Sequence, residues 1–182
     1  MTGAPDNDLL ILVDANDKEI GTAGKLDAHR RGLKHRAISA LVKNSAGEFL
    51  LQRRSLAKYH SGGLWTNACC SHPYPEESAA DAAKRRLAEE MGITCPLQPL
   101  FRFSYRAAVP GGLIEDEVVH VFGGVHDGPV VPDPAEVDSY KWIALPDLKK
   151  DIRTQPDAYT VWFRHYVAER GDVIADWIAQ DR

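Results

Sequence analysis

The sequence has few cysteines, no long apolar run and no excess of positive charge, and each of these absences excludes a class of protein. Its three cysteines, two of them adjacent, are too few for the disulfide framework of a small secreted protein. The early apolar run 9–13 is far shorter than the roughly 20 residues that cross a bilayer. The N-terminus has no basic segment followed by an apolar stretch, so we predict no secretory signal. A net charge of −4 argues against general nucleic-acid binding. We therefore expect a cytoplasmic protein with reduced thiols, acting on neither membranes nor nucleic acid.

The rest of the composition is ordinary for a folded domain. Hydrophobic residues make up 44% and charged residues 26% of the 182 residues, typical of soluble globular proteins. We find no internal repeat and no low-complexity tract. We expect one domain over residues 1–182, a monomer, with the polar segment 1–8 frayed.

Hydrophobic patterning and turn residues predict a chain of strands interspersed with helices. The predicted strands are 9–13, 19–22, 36–42, 48–53, 65–70, 100–107, 113–122 and 137–145. The predicted helices are 25–31, 77–91, 147–153 and the region 158–178, with a break at Gly171. The helix 77–91 has the strongest signal, because it follows Pro75 and ends before Gly92.

A thiol and an imidazole lie two residues apart just before this helix. In an extended chain Cys70 and His72 share one face, while Cys69 points the other way. A cysteine in such a place is more often inert packing than a reactive group, so the spacing alone leaves both interpretations open.

The helix carries Arg85-Arg86-Leu87-Ala88-Glu89-Glu90-Met91-Gly92, which resembles the second half of the Nudix signature. A solvated helix with i, i+4 ion pairs is the alternative. Two positions depart from the signature: Ser71 stands for the opening glycine and Arg86 for a catalytic glutamate. Hydrolysis of a diphosphate needs carboxylates around its metal, whereas arginine offers a phosphate-binding fork. The helix therefore looks suited to holding a diphosphate.

Imidazoles and carboxylates elsewhere suggest a metal site. Glu115 and Glu117 project to one face of a predicted strand, with Asp116 opposite. Like charges side by side are unfavourable unless something neutralises them. Imidazole ligands suit manganese, zinc or iron, which brings in the candidate histidines His29, His35 and His72. The single histidines His60, His120, His126 and His165 are interpreted as ordinary surface or core residues.

Four separated strings, at residues 28–37, 60–73, 105–107 and 115–117, together resemble the type 1 isopentenyl diphosphate isomerases, enzymes of the Nudix superfamily. The resemblance extends over about residues 9–165. It implies an α/β (α+β) fold, a Nudix-type mixed sheet sandwich flanked by helices. It also implies an enzyme of isoprenoid biosynthesis that interconverts isopentenyl and dimethylallyl diphosphates.

The resemblance assigns roles to residues of this chain. It implies one divalent ion (manganese, magnesium or zinc) on His29, His35, His72, Glu115 and Glu117. It implies Cys70 as one acid/base and Glu117, assisted by Tyr105, as the other. A magnesium ion would join the substrate diphosphate to Glu90, together with the Cys70 carbonyl. The diphosphate-binding positions are Lys25, Arg54, Lys58 and Arg86, and Trp162 forms an aromatic wall.

The chemistry also needs a dry cavity, because water would trap a carbocation. Trp65, Phe103, Tyr105 and Trp162 are the expected apolar lining. Two other functions stay open at this point. One is a Nudix diphosphohydrolase of a nucleoside diphosphate derivative, and the other is a non-catalytic metal- or ligand-binding module.

Overall fold

A computed structural model describes residues 9–58 and 60–180. The expected fraying of residues 1–8 lies outside the described part of the chain. Within the described ranges, no helix is long and apolar enough to cross a membrane.

The chain forms nine strands and five α-helices in the described ranges. The strands are β1 Leu9–Val13, β2 Glu19–Gly24, β3 His35–Lys43, β4 Glu48–Arg54, β5 Trp65–Asn67, β6 Cys69–Ser71, β7 Leu97–Val109, β8 Leu113–Val125 and β9 Val137–Ala144. The helices are α1 Lys25–Arg31, α2 Ala79–Met91, α3 Leu145–Thr154, α4 Val161–Glu169 and α5 Gly171–Ala179. The predicted mixture of strands and helices is confirmed.

Strand β3 is the central strand of a mixed sheet. It pairs in parallel with β8 along its whole length and antiparallel with β1, β4 and β6. Strand β7 pairs antiparallel with β8, and β9 with β4. Registers place His35 opposite Glu117 and Ser39 opposite Cys70. Residues far apart in the sequence therefore meet along β3.

Helices cover the sheet on both faces. Helix α2 packs its alanine-rich side, with Leu87 and Met91, against one apolar cluster that includes Cys69. Helices α4 and α5 pack Trp162, Phe163 and Trp177 into a second cluster with side chains of β3, β7 and β8. The opposite directions of Cys69 and Cys70 follow from strand alternation, as predicted.

Several element boundaries differ from the prediction. Helix α2 begins at Ala79 instead of residue 77, because the Ser78 side chain accepts a hydrogen bond from the Asp81 backbone and caps the helix. Glu77 instead pairs with Arg85. Helix α3 already begins at Leu145 and takes Pro146 into its first turn, where proline costs no hydrogen bond. Gly171 opens α5, so the break falls between two separate helices.

Candidate active site

A cleft opens between the β3–β8 part of the sheet, helix α4 and the loop after β4. It is lined by every side chain that the sequence analysis assigns to acid–base chemistry and to diphosphate binding: Lys25, Arg54, Lys58, Cys70, Arg86, Tyr105, Glu117 and Trp162. His72, Glu90 and Glu115 line it as well.

One face of the sheet supplies the floor of the cleft. On β3 the alternate residues His35, Ala37 and Ser39 point to the same side, and all three are buried. The small Ala37 leaves room between the two polar side chains. Glu117 of β8 faces the same side and is paired in register with both His35 and Tyr105.

The five predicted metal ligands form one cluster. Their donor atoms all lie within 4.8 Å of one another, and four of the five side chains are buried. Donors at this spacing suit a single divalent ion bound at about 2.0–2.2 Å. The buried Nε2 atom of His35 has no hydrogen-bond partner among the described residues. The cluster is His29, His35, His72, Glu115 and Glu117; it fits a divalent metal.

Backbone carbonyls fix which ring nitrogen His29 and His35 present to the cluster. The Nδ1–H of His29 donates to the Lys25 carbonyl at 2.6 Å, and the Nδ1–H of His35 donates to the Leu33 carbonyl at 2.8 Å. Both rings therefore direct Nε2 inward. Outer hydrogen bonds of this kind are how proteins orient metal-binding histidines.

Burial and neighbouring charges set the protonation of the cluster. Burial holds the pKa of His72 well below its usual value, and the nearby His35 acts in the same direction. Burial would raise the pKa of Glu117, but the nearby His35 ring, with Nε2 at 3.4 Å from Glu117 Oε1, outweighs it, so that pKa is lowered. Neutral His72 and ionised Glu117 are the forms that bind a metal.

Cys70 lies beside this cluster with a protonated thiol. Its Sγ–H donates to Asn67 Oδ1 at 3.0 Å, and Ser39 Oγ lies 2.9 Å from the sulfur. The Asn67 amide donates to the carbonyls of Ala40 and Cys69, which fixes its oxygen as the acceptor. Burial raises the pKa of Cys70 to about 12. The sulfur therefore keeps its proton at neutral pH.

Glu117 belongs to the donor cluster and is also one of the two predicted acid–base groups. Its Oε1 lies 3.1 Å from His72 Nε2, while its Oε2 accepts a hydrogen bond of 2.8 Å from the Tyr105 hydroxyl. Burial and the Glu117 charge hold the pKa of Tyr105 well above its usual value. Tyr105 is therefore a neutral hydrogen-bond donor to Glu117.

Two arginines at the cleft have buried nitrogens that call for an anion. The Nε atoms of Arg54 and Arg86 are buried and have no hydrogen-bond partner within the described ranges. The terminal nitrogens of Arg86 donate to Glu89 at 2.8 Å and to Glu90 at 2.7 Å. An oxyanion with several acceptor atoms would satisfy the remaining donors.

Lys58 and Arg86 also meet at one carboxylate. Lys58 Nζ contacts Glu136 Oε2, and Arg86 Nη2 lies 3.5 Å from Glu136 Oε1. Burial lowers the pKa of Lys58 to about 8; Arg54 and Arg86 add to this effect and Glu90 opposes it. Burial therefore disfavours the positive charge of Lys58, and an incoming anion would stabilise that charge.

Glu90 is the buried carboxylate at the base of helix α2. It is 3% exposed, accepts from Gln52 Nε2 at 2.9 Å and pairs with Arg86. Gln52 also donates to the Ala68 carbonyl at 2.7 Å, just before Cys69 and Cys70. Glu90 thus has a fixed position at the same cleft as Cys70.

Helix α4 closes the cleft with two aromatic residues one turn apart, Trp162 and Tyr166. Trp162 Nε1–H donates to Thr66 Oγ1 at 3.0 Å, which holds the indole in place. The Tyr166 hydroxyl lies 3.1 Å from Ser39 Oγ. Tyr166 takes the place that the sequence analysis gives to Trp65 and Phe103, which do not line the cleft. Phe103 packs edge-on against Tyr166 instead.

Sequence reasoning missed several residues of this cleft, and His60 is the clearest case. The sequence pattern predicts an ordinary histidine there, but His60 lies in the cleft, with Nε2 at 2.9 Å from Glu115 Oε1. Ser39, Asn67 and Tyr166 were not singled out either. His60 and Asn67 both lie in the string 60–73, one of the four that carry the family resemblance, and this position is the signal that could have found them.

Comparisons with known proteins agree with this geometry. The NUDIX domain family matches residues 33–163. Isopentenyl-diphosphate Delta-isomerase 2 of Aromatoleum aromaticum is 54% identical over 155 residues, which cover 85% of this chain and 82% of that protein. Isopentenyl-diphosphate Delta-isomerase of Burkholderia multivorans is 52% identical over 161 residues, 88% of this chain and 91% of that protein.

Among solved structures, the MutT protein of Methanosarcina mazei Go1 superposes with a TM-score of 0.61 at 22% identity, over 82% of this chain and 96% of that one. This likeness concerns the fold. The family match covers most of the chain, and relatives with 52–54% identity align with 85–88% of its length. The chain therefore belongs to the NUDIX family and, within it, to the isopentenyl-diphosphate Delta-isomerases.

Proposed function

We propose that this protein interconverts isopentenyl and dimethylallyl diphosphates by moving one proton on and another off the substrate, with Cys70 and Glu117 as the two acid–base groups. The observation that carries the proposal is that both groups line one cleft, together with an aromatic wall and arginines whose buried Nε atoms lack hydrogen-bond partners among the described residues. The named function of the relatives supports it.

The reaction shifts a carbon–carbon double bond by one position. One proton is added to the terminal alkene carbon, another leaves the carbon on the far side of the tertiary centre, and a tertiary carbocation connects the two steps. Each acid–base group must reach its own carbon. Because the interconversion is reversible, Cys70 and Glu117 each donate in one direction and accept in the other.

The chain's own residues prepare both groups for this exchange. Asn67 and Ser39 hold the Cys70 thiol, and Tyr105 donates to Glu117, so that neither group is free to rotate. Trp162 and Tyr166 exclude water that would otherwise capture the cation. The indole face of Trp162 stabilises positive charge without offering a nucleophile, an effect worth up to about 2 kcal/mol when desolvated.

His29, His35, His72, Glu115 and Glu117 would hold one divalent ion, with manganese, magnesium and zinc as the candidates. When bound, the ion supplies the positive charge that offsets the two buried carboxylates. The role of these residues is then to keep Glu117 in position between the ligand cluster and the substrate.

Lys25, Arg54, Lys58 and Arg86 would bind the diphosphate, with Glu90 and the Cys70 carbonyl holding its magnesium ion. Fixing the diphosphate at this end of the cleft leaves the hydrocarbon between Cys70 and Glu117. Binding energy from a group that does not react is in this way used to position the group that does.

We infer that the functional unit is one domain and that the enzyme is a cytoplasmic monomer. The site draws on residues from α1 to α4, which supports a single folding unit. The three cysteines are free thiols, which supports a reducing compartment. Size-exclusion chromatography with light scattering measures the oligomeric state.

The test of the proposal follows isopentenyl diphosphate by NMR in D₂O. We expect dimethylallyl diphosphate with deuterium incorporated into its carbon skeleton and both phosphates retained. A diphosphohydrolase would instead release phosphate or a nucleotide, and a binding module would leave the substrate unchanged. Either outcome, in metal-loaded protein, contradicts the proposal. Arg86, in place of a signature glutamate, disfavours the hydrolase.

A further inference from the structure

His60 lies between the metal cluster and the aromatic wall, although it is not among the five clustered donors. It is 6% exposed. Its Nε2 lies 2.9 Å from Glu115 Oε1, its ring packs edge-on against Trp162 with centroids 6.1 Å apart, and its Nδ1 lies 3.1 Å from Ser61 Oγ. Every polar atom of the ring therefore has a specific neighbour.

The two oxygens of Glu115 have different partners. Oε2 lies 3.1 Å from His29 Nε2 and 4.0 Å from His35 Nε2, so it faces the donor cluster. Oε1 faces His60. A carboxylate held in this way offers one oxygen to an ion and has the other occupied, which fixes both its orientation and its denticity.

The loop after β4 is built to place this histidine. Ser61 has φ of +52°, a conformation that residues other than glycine seldom adopt. A Cβ atom on Gly62 would lie 3.0 Å from the Ser55 carbonyl oxygen, so the loop folds back closely on itself. The Arg54 guanidinium donates to the His60 carbonyl at 3.3 Å. Strain of this kind persists where surrounding contacts hold it.

We propose that His60 is a positioning residue for the metal centre: its Nε2–H donates to Glu115 Oε1, holds that carboxylate as a one-oxygen ligand, and couples it to the Trp162 wall. The tautomer follows from the partners: the Glu115 carboxylate can only accept, so Nε2 carries the proton, and Nδ1 then accepts a hydrogen bond from the Ser61 hydroxyl. This inference rests on the proposed metal role of Glu115 but not on the isomerisation itself.

The experiment compares His60→Phe with His60→Gln in the full-length protein. Phenylalanine keeps a ring beside Trp162 and removes the donor, whereas glutamine keeps an N–H at a similar reach and removes the ring. Mn²⁺ affinity is measured by calorimetry on chelator-treated protein, and Co²⁺ absorption reports the coordination. We expect His60→Phe to weaken Mn²⁺ binding by about 10–100-fold and to change the Co²⁺ spectrum. We expect His60→Gln to restore both to near wild type.

His120→Phe is the matched control, because His120 Nε2 also contacts a carboxylate, that of Asp17 at 2.6 Å, outside the donor cluster. Its Mn²⁺ affinity and Co²⁺ spectrum should equal those of wild type. Circular dichroism of the metal-free proteins checks folding. If His60→Phe does not fold, His60→Ala with added imidazole replaces it, and imidazole should restore the affinity. Unchanged affinity and spectrum without the donor, or failure of glutamine and imidazole to restore them, would overturn the proposal. If the wild-type protein binds metal but does not isomerise isopentenyl diphosphate, that result contradicts the proposed function and leaves the His60 proposal intact.

Discussion

Adjacent residues of this chain have sharply different environments. Cys69 is fully buried under helix α2, whereas Cys70 faces the cleft and donates to Asn67. Asp116 pairs with Lys34 and Arg106 on the opposite side of β8 from Glu115 and Glu117. Strand alternation alone produces these contrasts, and they supply control variants one residue from each reactive group.

The two cysteines give the first prediction. Cys70→Ala should lower kcat for isomerisation by at least about 10²-fold, since general acid–base catalysis contributes about 10²–10⁴-fold. Cys69→Ala, the same substitution one residue away, should leave kcat within a few-fold of the wild-type value. The NMR assay measures both, and circular dichroism confirms folding. Near-normal turnover by Cys70→Ala would remove this residue from the mechanism.

Lys58 gives a prediction for pH dependence. Burial depresses its pKa to about 8, so this lysine loses its positive charge as the pH rises through that value. Binding of a diphosphate should weaken accordingly, and kcat/KM, which reports the free enzyme, should fall above about pH 8. Lys58→Arg keeps its charge and should show no such fall. The measurement is kcat/KM for both proteins from pH 7 to 9.5; identical profiles would exclude Lys58 as the titrating group.

At the scale of elements, a few specific contacts fix the ends of helices α2 and α5. Gly92 ends α2 with φ of +65°, and a Cβ atom there would meet the Val131 carbonyl oxygen at 2.6 Å. Helix α5 is tied to the sheet by Lys43, whose buried Nζ donates to the carbonyls of Trp177, Ile178 and Gln180. A cation at a helix C-terminus satisfies carbonyls that the helix leaves unpaired.

Removal of this cation should loosen α5. We expect Lys43→Met to lower the free energy of unfolding by about 1–3 kcal/mol, because it leaves buried carbonyls without donors. Lys150→Met, at an exposed lysine of α3, should change it by less than about 0.5 kcal/mol. Urea unfolding monitored by tryptophan fluorescence compares them. Equal stability of the two variants would show that the helix end needs no cation.

At the scale of the whole molecule, the donor cluster connects elements that are distant in sequence. His29 comes from α1, His35 from β3, His72 from the segment after β6, and the two glutamates from β8. An ion bound by all five would link these elements in the folded state only. Ligands that bind only the folded state raise stability with the logarithm of their concentration.

Metal removal should therefore lower Tm. At a metal concentration 100-fold above Kd the stabilisation is about 2.7 kcal/mol, which corresponds to about 5–10 °C for a protein of this size. Glu115→Gln should lose most of the difference between metal-loaded and chelated protein, and Asp116→Asn, on the other face of β8, should keep it. Calorimetric scanning with and without EDTA measures this. A Tm unaffected by EDTA in wild type would contradict a structural contribution of the metal.

Local sequence signals located most elements but not all of their boundaries. An apolar run, the glycine after a helix and a turn sequence predicted β1, α1 and the β3–β4 hairpin correctly, because these features depend on residues within one turn or strand. The predicted start of α2 lies two residues before the observed one, because Glu77 pairs with Arg85 while Ser78 caps the helix. The aromatic lining was partly wrong, because Tyr166 lies on a helix whose approach to β3 no local pattern encodes.

The sequence by itself determined which chemical groups this protein has and which face of each strand they share. Alternation directed Cys70 and His72 one way and paired Glu115 with Glu117, and the replacement of a signature glutamate by Arg86 favoured holding a diphosphate. Only the tertiary structure decided that His60 belongs with Glu115 and that Glu136 contacts both Lys58 and Arg86. The physical reason is that these contacts join loops and strands far apart in the chain, and their distances depend on how β3, β8 and α4 pack together.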